Sequence, residues 1–121
     1  MIRRLTLNLT ASGEDGSATA SETTTSRLHG ILKAVHVNHS TGAVTTDFTL
    51  AGLNPARTIM TKADSVTDAW FYPSVEFTGT DGAGLTAYTE PTLNGDKLTA
   101  SLAQANNAQT AAVTIIWDDL R

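Results

Sequence analysis

The sequence contains no cysteine, so the chain forms neither a disulfide nor a thiolate metal site. Charged residues make up only 17% of it, against about a quarter in an average protein. Lysine and arginine nowhere cluster beyond the pair Arg3-Arg4, and the net charge is −4. A protein that binds nucleic acid through phosphate contacts needs a basic face, so no nucleic-acid partner is expected.

Long apolar runs and helical periodicity are also missing. No run approaches the length that crosses a bilayer, and polar residues follow Met1-Ile2-Arg3-Arg4 where a secretory peptide would be apolar. We therefore expect a protein that is made in the cytoplasm and has no membrane partner. No helix pattern of useful length occurs, which leaves strands as the expected elements.

Alternation of apolar and polar residues predicts where the strands lie. Leucines at positions 5, 7 and 9 share one face of residues 2–10, with polar residues between them, as in a half-buried strand. Near the C-terminus, Val113, Ile115 and Trp117 share one face of a strand. Ala112 and Ile116 occupy its other face, so that strand is predicted to be covered on both sides.

About eight such strands, separated by turn clusters, predict an all-β fold. We expect a single-domain antiparallel β-sandwich, jelly-roll-like, over residues 1–121. Residues 11–26 are small and polar, and they form either a mobile loop or a weak hairpin partner. Strands at 28–39 and 44–50, on either side of a turn at 40–43, are predicted to pair as a hairpin.

Glycine and proline mark further irregular positions. Gly30 is a candidate β-bulge position within its strand. The glycines of residues 79–84 indicate a loop, and residues 89–96, which contain Pro91 and Asn94-Gly95, are predicted to form another.

Most of the aromatic residues lie in residues 62–78. Asp64, Ser65 and Asp68 favour a turn, because their side chains bond to nearby backbone groups. Trp70, Phe71 and Tyr72 follow at once, and then comes Pro73, which lacks a backbone donor. This stretch is predicted to be a corner that crosses between sheets or runs along a sheet edge and that supplies a core anchor.

No arrangement of residues predicts catalysis, so the protein is not expected to be an enzyme or to need a cofactor or metal. His36 and His39 are an odd number of residues apart, and on one strand they point to opposite faces. Residues 64–68 lack the glycine and bidentate glutamate of a calcium loop. Asp118-Asp119 is interpreted as a solvated chain end.

The residues that we expect to act as core anchors or interface contacts are Trp70, Phe71, Tyr72, Ile116, Trp117, Leu5 and Leu7. The first three also suggest a sugar-stacking platform, although consecutive residues on a strand alternate faces. Core and interface packing is the preferred interpretation.

Several segments together resemble a known group of proteins. They are Leu-Thr-Leu-Asn-Leu-Thr at 5–10, Gly-Ser-Ala-Thr-Ala at 16–20, Thr-Asp-Phe-Thr-Leu at 46–50, Asp-Ser-Val-Thr-Asp-Ala-Trp-Phe-Tyr-Pro at 64–73 and Thr-Ile-Ile-Trp at 114–117. In this order they resemble small virion proteins of tailed bacteriophages, a group that includes capsid decoration, or cement, proteins with jelly-roll-like folds. The segment at 64–73 is the most specific of the five.

The resemblance implies a structural protein on the exterior of the capsid that stabilises the head by bridging capsid subunits. Its partners would be the major capsid protein and copies of itself, in a dimer or trimer. Two alternatives remain open: a neck, tail or fibre component of the virion, and a carbohydrate-binding β-sandwich module.

Overall fold

The alternating sequence folds into strands, and the computed structural model describes residues 1–53, 56–78 and 80–120. Within those ranges there is no helix. The strands are β1 (Ile2–Thr10), β2 (Ala18–Thr23), β3 (Leu28–His39), β4 (Asp47–Leu53), β5 (Ala56–Lys62), β6 (Ala69–Phe71), β7 (Val75–Thr78), β8 (Gly84–Thr89), β9 (Thr92–Asp96), β10 (Leu98–Ala105) and β11 (Thr110–Asp118).

Two antiparallel sheets form the body of the protein. In the five-stranded sheet, β1 pairs with β11 and β11 pairs with β3. On its other side, β3 pairs with two strands: β9 along its first residues and β6 further along. The four-stranded sheet has the order β2, β10, β4, β5. The remaining pair, β7 and β8, forms a separate two-stranded ribbon between β6 and β9 in the chain.

The apolar core lies between the two sheets. Alternate residues of β11 and β10 are buried, as expected for strands with one face on a core. The largest fully buried side chain is that of Phe48, and most of the others are Leu or Val. The core draws on both sheets and comprises Leu7, Leu9, Leu28, Leu32, Val35, Val37, Phe48, Leu50, Ile59, Leu93, Leu98, Ala100, Leu102, Ala111, Val113, Ile115 and Trp117. The predicted all-β antiparallel sandwich is confirmed.

The strands on either side of residues 40–46 do not form the predicted hairpin. β3 belongs to the five-stranded sheet and β4 to the other, so the connection crosses between sheets. Buried Thr46 and Gln109 make this crossing possible, because they satisfy its polar groups. The Gln109 side chain donates to Thr46 Oγ1 at 2.9 Å and accepts from the Ala43 N–H at 3.1 Å.

The predicted loop at 89–96 contains a strand instead. β9 pairs with the start of β3, and Leu93 is buried in the core. Pro91 did not prevent this, because it precedes the strand and its missing N–H is not needed there. Short strands such as β6 and β9 bring the total among the described residues to eleven, above the eight or so predicted. A jelly-roll topology remains a prediction.

Residues 11–26 contribute a strand to the four-stranded sheet, where β2 pairs with β10. An isolated antiparallel bridge, between Ser12 and Thr19, lies within the segment, just after β1. Ala11, Ala18 and Ala105 form a small buried cluster beside it.

Gly30 lies beside an irregularity in the pairing of β3 with β9. Its φ is +115°, which residues with a side chain rarely adopt, and a methyl group there would overlap the backbone carbonyl oxygen of Asp118. The position therefore requires glycine, both for backbone conformation and for the close approach of β11.

A buried ion pair connects the two sheets. Arg57 of β5 donates to Asp96 of β9 at 3.0 Å and also to the Thr92 carbonyl oxygen. Asp96 is 2% exposed. A carboxylate this buried is unfavourable without a partner, so the contact fixes β9 against β5.

Candidate interaction surfaces

The middle of the outward side of the five-stranded sheet carries few charges. Directly paired residues share a face of a sheet, so outward side chains of β1, β11 and β3 lie in rows. The rows consist of Arg4, Ile116 and Ala34; of Thr6, Thr114 and His36; and of Asn8, Ala112 and Asn38. Trp70 of β6 extends the middle row beyond His36. We call these residues the outer face; Arg4 is its one formally charged member.

The polar groups of the outer face are partly satisfied within it. Thr6 and Thr114 share a hydrogen bond between their hydroxyl oxygens at 3.0 Å. Ile116 is half-buried between Arg4 and Ala34. Covering hydroxyl and methyl groups costs much less than covering ammonium or carboxylate groups, so a partner can desolvate this face at low cost.

Trp70 lies at the border of the outer face with its ring against His36. The ring centroids are 4.6 Å apart and the planes are inclined by 48°. The Trp70 side chain is nevertheless 53% exposed and that of Tyr72 is 71% exposed. The Phe71 side chain is half-buried on the opposite side, and its ring centroid lies 6.3 Å from that of Phe48.

The aromatic corner is therefore divided between core and surface. The chain crosses from β5 in one sheet to β6 at the edge of the other. Of the two courses predicted for residues 70–73, a crossing or a run along a sheet edge, Trp70 and Phe71 of β6 follow the edge. Only Phe71 contributes to the core as predicted for this corner, and its side chain is half-buried. Trp70 and Tyr72 are not core anchors, because β6 alternates its side chains and nothing in the described chain covers its outward side.

The ribbon of β7 and β8 is the most exposed apolar segment of the protein. All residues of β8 are exposed, including Leu85 at 59% and Tyr88 at 63%. Val75 of β7 is exposed as well. We call this ribbon, residues 75–89, the arm. Half of the exposed large hydrophobic side chains among the described residues belong to the arm and the corner before it: Trp70, Tyr72, Val75, Leu85 and Tyr88.

The arm has internal order of its own despite this exposure. The Glu76 carboxylate accepts the backbone N–H of Thr86 at 3.1 Å, and Thr86 has a positive φ of 59°. In the turn, Asp81 accepts the N–H of Ala83 at 3.0 Å. The predicted loop at 79–84 corresponds to this turn, although Gly79 lies outside the described residues. At the base of the arm, Glu90 forms an ion pair with Lys33 at 2.9 Å.

On the far edge of the five-stranded sheet, an open groove of about 880 Å³ separates β1 from β2 and the residues after β2. The strand β1 pairs only with β11, so its other edge is open. The groove is lined by the half-buried Leu5 and by Arg3, Arg4 and Arg27. We call this region the groove.

The remaining predicted residues have clear positions. Leu7 and Trp117 are buried in the core. Leu5 packs against the core from the groove side. Ile116 points the other way, onto the outer face, where it is half-buried. The predicted covering of both sides of β11 is therefore met on its core side only within the described chain.

The histidines point to different faces of β3. His36 lies on the outer face, whereas His39 pairs with Ala111, a core residue. The ring of His39 contacts the buried Ser65 hydroxyl at 3.1 Å, and its backbone N–H donates to Asp68 at 2.8 Å. Burial lowers the pKa of His39 from its ordinary value, and the Asp68 carboxylate offsets part of that effect.

This serine, histidine and aspartate group has a structural role. Ser65 is only 4% exposed, so no substrate can reach its hydroxyl. Asp68 binds the backbone of His39 rather than its ring, and His39 Nδ1 is buried without a partner in the described chain. The contacts fix residues 64–68 against β3 and so position the aromatic corner.

The chain end predicted to be solvated is tied to the N-terminus. The amino group of Met1 donates to Asp118 at 2.9 Å, and Arg3 pairs with Asp119. Hydrogen bonds from the Leu120 N–H and then from the Met1 amine hold the pKa of Asp118 below its ordinary value. These contacts close the start of β1 onto the end of β11.

Within residues 1–53, 56–78 and 80–120, no group of three His, Asp or Glu side chains is placed to hold a metal ion. No helix in those ranges is long and apolar enough to cross a membrane.

Comparison of the sequence with protein families finds no match, and comparison with curated proteins finds none either.

The sequence patterns did not single out the arm as an exposed apolar segment, because Val75, Leu85 and Tyr88 occur in short strands. One signal was available: residues 63–96 contain six carboxylates and no lysine or arginine. A strand pair of that composition, containing the glycines at 82 and 84, is a poor candidate for the core of a small sandwich.

Proposed function

We propose that this protein is a structural virion protein of a tailed phage that decorates the exterior of the capsid and stabilises the head by bridging capsid subunits. The proposal combines the resemblance of the segments described above with one structural observation, the outer face. That face carries Ile116 and Thr114 on β11 and, beyond His36 of β3, Trp70 on β6, with Arg4 as the one formal charge among its rows.

The outer face has the composition that suits an interface core. Protein interfaces are depleted of lysine and glutamate at their centres and enriched in aromatic residues. A face built on a sheet is also rigid, so little conformational entropy is lost when a capsid subunit covers it. In this proposal the major capsid protein contacts the outer face, and neighbouring copies of the protein contact one another through other surfaces.

Deletion of the gene from the phage tests the role itself. Particles without the protein should lose their DNA at a lower temperature than complete particles, and added purified protein should restore their heat resistance. Equal heat resistance with and without the protein would contradict the decoration role. If the labelled protein were located at the neck, tail or fibres, a role in that part of the virion would be favoured instead.

Ile116→Lys tests the surface. The variant should remain folded but should fail to bind phage particles that lack this protein. Binding fails because the added ammonium group must be desolvated when the capsid covers the outer face. Val44→Lys is the matched control, because Val44 is 72% exposed and lies in the 40–46 connection, away from the outer face. Full incorporation of Ile116→Lys, or its failure to fold, would show that this face is not the capsid contact.

Carbohydrate binding is a second candidate, favoured by the exposed ring of Trp70 beside the polar side chains of His36 and Asn38. Sugars stack on exposed aromatic rings and need polar neighbours for their hydroxyl groups. A glycan array, followed by titration of tryptophan fluorescence, tests it. Quenching should disappear in Trp70→Phe, which keeps the buried Trp117 as an internal reference.

A further inference from the structure

We infer that copies of this protein associate head to tail, with the arm of one copy lying in the groove of the next. The inference deepens the proposed self-association but does not depend on the capsid role. It rests on the charges of the two surfaces, on their exposed apolar residues and on their positions at opposite edges of one sheet.

The arm is acidic and apolar. Residues 75–89 include Glu76 and Asp81 and contain no lysine or arginine. Neither carboxylate has a cationic partner in the described chain, whereas Glu90 and Asp96 beyond the arm are paired with Lys33 and Arg57. Leu85 and Tyr88 are more than half exposed on the same ribbon.

The groove has the complementary character. Three arginines line it, and Glu22 is the one carboxylate among the lining residues. Arg3 is paired with Asp119, and Arg27 donates to the Gly95 carbonyl oxygen at 2.9 Å. Neither Arg4 nor Arg27 has a carboxylate partner within the described ranges. In a chain with a net charge of −4, this is an unusual local excess of arginine. Leu5 supplies apolar surface between these arginines.

Backbone groups add to the match. The strand β1 has an open edge along the groove, and such an edge pairs readily with another strand. The arm is a two-stranded ribbon, so each of its strands also has an unpaired edge. Strand pairing would supply hydrogen bonds, and the charges and apolar side chains would set which strands meet.

The positions of the two surfaces make the contact intermolecular. The arm connects β6 to β9, which both lie beyond β3, and the groove borders β1 at the opposite edge of the same sheet. The strands β11 and β3 lie between the open edge of β1 and the strands that flank the arm, so pairing of an arm with that edge is assigned to a second copy. A contact between two different surfaces of identical chains propagates from copy to copy, and it closes into a ring if the rotation permits.

Two variants and their mixture test the inference with purified protein. Arg4→Glu alters the groove, and the double variant Leu85→Ser with Tyr88→Ser alters the arm; all three side chains are exposed, so both proteins should fold. Sedimentation velocity should show wild-type oligomers and, for each variant alone, association weakened about tenfold or more. Lys62→Glu and Val44→Ser are matched controls and should behave as wild type.

The mixture gives the decisive result. The groove variant keeps an intact arm and the arm variant keeps an intact groove, so an equimolar mixture should form a species with the mass of at least two chains. Association should also weaken in 1 M salt, where the screening length falls to about 3 Å.

Other outcomes overturn the inference. A wild-type protein that stays monomeric up to millimolar concentration excludes it. Symmetric pairing of two β1 strands would make Arg4→Glu defective, leave the arm variant normal and give no recovery on mixing. Capsid incorporation is measured separately with Ile116→Lys. Failure of the self-association proposal can therefore be distinguished from failure of the proposed capsid role.

Discussion

The sandwich body and the arm use apolar residues in opposite ways. In the body, Phe48, Leu50 and Ile115 have no exposed surface, and most other core positions are Leu, Val or Ala. In the arm and the corner before it, Trp70, Tyr72 and Tyr88 are more than half exposed. Three large aromatic side chains thus lie mostly outside the core.

This difference separates residues that stabilise the fold from residues that are available for binding. Apolar surface contributes to folding only when water is removed from it, and about 25 cal/mol is gained per Å² buried. The exposed rings gain little in the isolated chain. Exposed aromatic groups that contribute little to stability are typical of surfaces that a partner covers.

The largest expected effect is on the core side of this comparison. Phe48→Ala should lower the free energy of unfolding by about 3 to 5 kcal/mol, because it leaves a cavity between the sheets and removes the ring that Phe71 packs against. Urea denaturation measures it. Tyr88→Ala, the arm counterpart, should change stability by less than about 0.5 kcal/mol.

Trp70→Ala sharpens the same comparison, since Trp70 and Phe71 are adjacent on β6. Trp70 contacts His36 but remains half exposed, so its removal should cost about 1 kcal/mol or less. A cost near that of Phe48→Ala would mean that the corner is part of the core, and the division between body and arm would fail.

Among the substitutions considered, Gly30→Ala should lower stability the most after Phe48→Ala. The methyl group must be accommodated against the Asp118 carbonyl, and the backbone must leave a positive φ, so the loss of stability should clearly exceed about 1 kcal/mol. Gly16→Ala is the matched control, because Gly16 also has a positive φ of 85° but has open space around it. Its cost should be about 1 kcal/mol, from backbone conformation alone. Equal losses in the two variants would contradict the close approach of β11 to β3.

The smallest expected effect is on pH dependence. Burial lowers the pKa of His39 in the folded state below the ordinary histidine value of 6.5. As the pH falls below 6.5, the unfolded chain therefore binds more protons at this residue than the folded chain does. Stability should therefore decrease from that pH downward until the folded pKa is reached. The decrease should be smaller in His39→Gln, measured by urea denaturation at several pH values. An unchanged pH profile would show that His39 is not the titrating group.

The sequence was sufficient to predict the all-β class, because alternation of period two records directly which side of a strand meets the core. It predicted correctly that Val113, Ile115 and Trp117 share one face of their strand and that His36 and His39 point to opposite faces. These properties depend on neighbouring residues in one strand.

Pairing partners could not be predicted in the same way. The sequence predicted that the neighbouring strands β3 and β4 form a hairpin, but they belong to different sheets. Thr46 and Gln109 satisfy the polar groups of the connection between the sheets, and no local sequence pattern indicates this. Pro91 and Gly95 suggested a loop where β9 completes a sheet, because the strand is held by distant partners: β3 through its backbone and Arg57 through Asp96.

The pattern of alternation, the scarcity of charge and the concentration of aromatic residues can all be seen in the sequence alone. Which of these aromatic residues are covered depends on the fold. Phe71 and Trp70 are neighbours in the chain, yet one meets Phe48 and the other meets solvent, because exposure depends on what the rest of the fold places over each side of a sheet. The same holds for Arg4, whose position beside the open edge of β1 and opposite the arm follows from strand order alone.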